Sequence, residues 1–171
     1  MTDRKDFERV IWPHLRAAYN VARWLVRNDH DAEDIVQEAF AKAFVAMSAL
    51  RNADARSWLL SIVRNTAMNF LERRQRAPEV SWNVEAPEPS DSTPDPESGM
   101  IGKSRREMVR AAIQRLPVEY RETLVLREIE GLSYKEIAAI LHIPMGTVMS
   151  RLARARTLLI EELVPNAERS L

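Results

Sequence analysis

The chain of 171 residues contains no cysteine. That excludes disulfides, cysteine–zinc sites and thiol nucleophiles, and it fits a reducing, cytoplasmic setting. No apolar run approaches the ~20 residues needed to span a bilayer. The opening Met1–Asp6 leads into a charged segment instead of the apolar core of a secretory signal. No membrane insertion is expected. Only 4 glycines and 3 histidines are present, and His14, His30 and His142 stand far apart. There is no metal-ligand spacing, no glycine-rich phosphate loop and no nucleophile motif, so neither a metal, a cofactor nor an enzymatic activity is expected. Net charge is missing as well: 25 basic residues balance 25 acidic ones. A blanket nucleic-acid binder would carry an excess of base.

What is present is sorted along the chain. Acids gather in Asp31–Glu38 and Glu79–Glu97, bases in Arg64–Arg76 and Arg151–Arg156. Such sorting allows contact with DNA at two places and with a protein elsewhere. Residues 77–99 hold Pro78, Pro87, Pro89, Pro94 and Pro96 among acids, with no base and Trp82 as the one large aromatic. That composition cannot bury enough surface to fold alone and reads as a flexible acidic linker spanning ~25 Å as a coil. The expected architecture is all-α, with two small helical domains at 1–76 and 100–171 and the linker at 77–99.

The first domain reads as three helices. Phe7, Ile11, Leu15, Ala18, Ala22 and Leu25 keep the helical period from about Asp3 to Arg27. After the break at Asn28–His30, Asp31 is a candidate cap for a second helix buried through Ile35, Ala39, Ala43 and Met47. Asp34, Gln37, Glu38 and Ala41 line its other side, either as a solvated face or as a docking face for a protein. The loop Leu50–Ser57 leads to a third helix capped by Asp54 or Ser57, with Leu59, Val63, Thr66 and Phe70 inside. Ser61, Asn65 and Asn69 recur every four residues on another face and run toward Arg73, Arg74 and Arg76. This is either a solvated stripe with favourable cations at a helix end or a DNA track, in which arginines hold phosphates and amides read bases.

In the second domain a helix over Ile101–Leu116 precedes Pro117, which suits the first residue of the next helix, and Gly131 ends that helix. Ser133 and Glu136 have capping-box spacing and start a helix buried through Ile137, Ile140 and Leu141. Pro144 helps to end it, and Gly146 is expected to relieve the turn. A final helix from about Met145 to Leu163 buries Val148, Leu152, Ala155 and Leu159. It turns Met149, Ser150, Ala153 and Arg154 elsewhere, flanked by Arg151 and Arg156. No acid occurs from Ile143 to Ile160. A sharp turn followed by a basic, acid-free helix is the geometry that lays side chains in a DNA major groove.

These stretches, in this order, resemble the bacterial RNA polymerase sigma factors of the extracytoplasmic-function (ECF) group over nearly the whole chain. Asp31–Phe40 is similar to the family's second conserved region, Ser57–Ala67 to its promoter-melting and −10 region, Leu116–Arg121 to the opening of its fourth region, and Ile143–Arg156 to its recognition helix. The resemblance implies a factor that catalyses nothing itself and gives core RNA polymerase its promoter specificity. It implies docking through Asp34, Gln37 and Glu38 on the β′ clamp, and a contact of the second domain with the β flap. It implies −10 contacts from the loop that holds Asn52, Asp54 and Arg56, and from Ser61, Asn65, Asn69, Arg73 and Arg74. It implies −35 contacts from Thr147, Met149, Ser150, Arg151, Ala153 and Arg154, and an anti-sigma factor as a further partner. Met149 stands where the family often has a polar residue, so reading there is expected to be apolar, as against a thymine methyl. The alternative is an ordinary helix-turn-helix regulator that uses the C-terminal pair alone. It leaves Asp31–Phe40 and Ser57–Ala67 unexplained.

Overall fold

The computed structural model of the chain describes residues 3–51, 54–77 and 100–168. Every element among the described residues is helical. Asn52 and nearly all of the linker lie outside them.

The first expected helix is two. α1 (Arg4–Val10) is capped by Asp3 and stops at Ile11. A single tight turn, Trp12–His14, follows before α2 (Leu15–Val26). Pro13 is the cause, because its missing N–H and its ring are tolerated only in the first turn of a helix. The apolar period survives this break: Phe7, Ile11, Ala18, Ala22 and Leu25 are all buried. Arg27 closes α2 in the left-handed conformation at φ 60°.

α3 (Asp29–Ala46) begins three residues earlier than expected. Asn28 is its cap, its side-chain oxygen accepting from the Asp31 backbone N–H. Asp31 instead accepts from Arg74 at 3.1 Å, which ties the start of α3 to the end of α4. Ile35, Val36, Ala39 and Ala43 are buried, while Phe44 is 40% exposed and meets the edge of Phe7. α4 (Ala55–Arg76) starts on Asp54, whose carboxylate accepts from the backbone N–H groups of Arg56 and Ser57 and from the Ser57 hydroxyl. Leu59, Leu60, Val63, Thr66 and Ala67 face the α2–α3 pair. Thr66 is satisfied inside by donating to the Ile62 carbonyl at 2.8 Å.

In the second unit, α5 (Met100–Arg115) leads to Pro117, which caps α6 (Val118–Leu124) instead of occupying its first turn. α6 then widens into one π-helical turn over Val125–Ile129. That turn inserts a residue into the helical register. Ile129 at its end is 42% exposed, while Val125 and Leu126 are buried. Gly131 ends the element at φ 67°. α7 (Tyr134–Leu141) carries the complete capping box: Glu136 N–H donates to Ser133 Oγ at 3.1 Å and Ser133 N–H to Glu136 Oε2 at 2.7 Å. At the turn, His142 and not Gly146 takes the left-handed conformation, at φ 54°. Gly146 lies inside α8 (Met145–Glu168), with open space where a Cβ would be. The Pro144 carbonyl accepts from Thr147 and Val148 and so starts α8, which runs five residues past its expected end.

The two units are packed together. α2 and α4 meet α6 and α7, and the buried apolar side chains of both halves form one continuous cluster.

Candidate nucleic-acid interface

α4 and α8 present the two basic faces. On α4, Asn65 and Asn69 are exposed and Ser61 is half-buried, on the side away from Leu59 and Val63. The rigid 22-residue helix holds all three in line and delivers Arg73 and Arg74 to its exposed end. Arg73 and Arg74 sit where cations favour a helix C-terminus, and Arg74 shares its charge with Asp31. At the other end Asp54 is committed to capping. Its hydrogen bond from the Ser57 hydroxyl holds its carboxyl below the ordinary aspartate range against the opposing effect of burial. Arg56 turns away from this face: it donates to the Glu130 backbone carbonyl and to Glu130 Oε2, the latter at 3.2 Å.

α8 separates its two sides cleanly. Val148, Leu152 and Ala155 are buried, and Met149, Ser150, Ala153 and Arg154 are exposed. The Ser150 hydroxyl donates to the Thr147 carbonyl at 3.0 Å and keeps its oxygen free to accept. Thr147 is half-buried in the first turn. Arg151 is half-buried and lies 3.9 Å from Glu122 Oε1 on α6 of the same unit. Arg156 pairs with Glu128 at 2.7 Å, and this bond raises its pKa. Ser150, Arg154, Met149 and Ala153 thus share one open face, whereas Arg151 and Arg156 do not.

The acidic face of α3 is exposed through Asp34, Gln37 and Glu38. Glu38 receives Lys42 at 2.8 Å, and that hydrogen bond lowers its pKa despite an opposing effect of burial.

Sequence reasoning missed the residues that join the units. Glu122 and Glu130, whose side chains are 3% and 6% exposed, point at α4. Arg64 grips Glu122 with both arms of its fork, Nε to Oε2 at 2.9 Å and Nη2 to Oε1 at 3.2 Å. Asn20 reaches Glu130 Oε1 at 3.5 Å. Arg121 is buried and donates to the Leu116 carbonyl at 2.8 Å, the Gln114 carbonyl at 3.3 Å and the Leu25 carbonyl of α2 at 3.1 Å. Loss of water around its guanidinium, and then the nearby Arg27 charge, push its pKa down to about 10, with Glu122 acting in the opposite direction. Arg110 lies over the Trp24 ring at 5.9 Å. Nothing in the local sequence signalled this: Arg121 and Glu122 stand among Glu119, Tyr120 and Thr123 like other helix-surface residues.

Comparison with known proteins accounts for this arrangement. The family described as Sigma-70 region 2 matches residues 11–77, and the family described as Sigma-70, region 4 matches residues 106–159. Fold and motifs together define a sigma-70-type transcription initiation factor. The ECF RNA polymerase sigma-E factor of Escherichia coli (strain K12) is 36% identical over 95% of this chain and 89% of its own length. The RNA polymerase sigma-H factor of Pseudomonas aeruginosa is 36% identical, with the same coverage of both chains. The sigma factor RpoE of Bartonella quintana, solved in complex with the anti-sigma factor NepR, superposes with a TM-score of 0.78. It is 28% identical, over 93% of this chain and 97% of that one. CnrH, solved with the cytosolic domain of CnrY, shares the fold at a TM-score of 0.69, covering 95% of this chain and 90% of its own, with 24% identity. The chain belongs to the ECF group of RNA polymerase sigma factors, and it directs promoter-specific transcription initiation. Among the described residues no helix is long and apolar enough to cross a membrane.

Proposed function

We propose that the two basic faces divide promoter reading between them. Residues 1–76 form the unit that docks on polymerase and reads and melts the −10 element; residues 100–171 form the unit that reads the −35 element; residues 77–99 connect them. Asn65 and Asn69 face the −10 strand, Ser61 lies beside them, and Arg73 and Arg74 hold its phosphates. The loop with Asn52 and Asp54 borders the pocket for an extruded base, which is readable on all its edges once out of the stack. Arg56 contributes a phosphate contact there. In the −35 groove Ser150 and Arg154 read base edges, and Met149 and Ala153 make apolar contact. Thr147 and Arg151 meet the backbone. Asp34, Gln37 and Glu38 dock on the β′ clamp of core RNA polymerase, and the second unit contacts the β flap. A protein of the anti-sigma class, as found bound to the Bartonella sigma factor, covers these surfaces. The protein itself catalyses nothing and works in the cytoplasm, where polymerase and promoters are.

The observation that supports this most is the joint exposure of Asn65 and Asn69 on α4 and of Ser150 and Arg154 on α8. Replacing Asn65 and Asn69 together with alanine should leave binding of the holoenzyme to duplex promoter nearly intact and remove most of the permanganate-reactive thymines in the open complex. A full bubble in the double variant would overturn the −10 assignment.

A further inference from the structure

The open face of α8 is not uniform. Met145 and Met149 stand four residues apart, so they lie one above the other on the helix surface. Both are large and apolar, yet 47% and 52% exposed. Ala153, also exposed, continues their line one turn on. A second line runs beside it at the same spacing: Gly146, Ser150 and Arg154. Ser150 has an oxygen free to accept, and Arg154 is exposed. Gly146 adds no bulk, with nothing within 4 Å of where its Cβ would stand. The opposite side of the helix is filled by the buried Val148, Leu152 and Ala155. The two methionines therefore offer apolar surface that the protein itself does not cover.

From this division we infer that Met145, Met149 and Ala153 read the C5-methyl groups of thymines in the −35 element, while Ser150 and Arg154 take the polar base edges beside them. This makes Met145 a specificity-determining residue together with Met149. The inference deepens the −35 assignment and rests on it. Thymine is the one base that presents a methyl group in the major groove. Moving that methyl from water onto a thioether side chain gains what burying one CH2 gains, whereas a polar side chain there would be desolvated without a partner. The spacing fits. Met145 and Met149 are about 6 Å apart along the helix axis, and successive bases on one strand rise by about 3.4 Å. Methionine turns about three bonds, so the pair reaches thymines one or two steps apart. The occupant is DNA and not a protein surface, because the apolar line is continuous with Ser150 and Arg154 and lies in the acid-free stretch Ile143–Ile160. No carboxylate there repels phosphate.

The test uses the full chain in holoenzyme with core RNA polymerase and a duplex promoter fragment carrying both elements. In a second fragment every thymine of the −35 element is replaced with uracil. That change keeps each base pair and each polar group in the groove and removes only the methyls; the −10 element is left alone. Wild-type holoenzyme should prefer the thymine fragment by about fourfold for each methyl contacted, so by about sixteenfold for two. Met145→Gln with Met149→Gln keeps side-chain length and helix propensity at exposed positions. It should bind both fragments alike, near the affinity of wild type for the uracil fragment. Met145→Gln alone should lose one of the two fourfold factors. Equal binding of the two fragments by wild type would overturn the inference. So would a glutamine pair that keeps the preference, since the methyls would then be read elsewhere, or one that loses the same affinity on both fragments. A full preference in Met145→Gln would remove Met145 from the site. Failure of the underlying −35 assignment looks different: wild type would then bind a fragment with a scrambled −35 element as well as the cognate one.

Discussion

Arg154 has no hydrogen bond or ion pair within the described residues and stands on the open side of α8 between Ser150 and the end of the acid-free stretch. A guanidinium left without an internal partner is free to make a bidentate contact with guanine, worth about 1–3 kcal/mol of discrimination. Arg154→Ala should therefore weaken initiation at a cognate promoter by that amount. It should cost much less on a promoter whose −35 element is scrambled; an equal loss on both would mean that Arg154 meets only the backbone. Asp54 acts differently, through the helix it starts. Truncating an N-cap costs about 0.5–2 kcal/mol, so Asp54→Ala should lower the unfolding midpoint by a corresponding margin. Folding lowers the Asp54 pKa from 3.8. The stabilisation it gives is thus complete above the ordinary aspartate value and lost as pH falls through the lower folded value. Thermal melts of wild type and Asp54→Ala should converge on acidification, and a gap that stays constant would show that the charged cap is not the source.

At the scale of the element, the helices were legible where one local rule acted alone. Ser133 and Glu136 form the capping box that their spacing announces. Val148, Leu152 and Ala155 are buried as their period requires. The misses occurred where two local rules competed. Pro13 cut a stripe that stays apolar across the cut. Asn28 and Asp31 are both good caps, and the one nearer the preceding helix won. At the turn between α7 and α8, glycine was the natural choice for a left-handed residue, yet His142 bears the strain and Gly146 is ordinary helix. The left-handed conformation costs a residue with a Cβ roughly 1–2 kcal/mol. His142→Gly should therefore stabilise the protein by about 1 kcal/mol in chemical denaturation. A destabilised variant would mean that the imidazole makes a contact that offsets the backbone cost.

The whole molecule was legible as two helical units of a sigma factor, and the matches to sigma regions 2 and 4 follow that division. How the units meet was not legible. Arg64 and Glu122 are 58 positions apart, and Arg56 and Glu130 are 74. No periodicity or motif links residues at such separations. Locally, Glu122 reads as one more helix acid, and only the fold turns it inward. For the same reason charge sorting along the chain does not show which bases are engaged within the protein: Arg64 and Arg151 fall in the basic stretches of the sequence, and in the structure both face Glu122.

The central claim is that this chain gives core RNA polymerase its promoter specificity through two separate elements. The most direct measurement adds the purified protein to core RNA polymerase and transcribes a pooled library of promoter fragments. Transcripts should start downstream of one shared −10 motif and one shared −35 motif at fixed spacing. A polymerase that binds the chain and yields no sequence-selected start, or a chain that binds operator-like DNA with no affinity for core, would contradict the account.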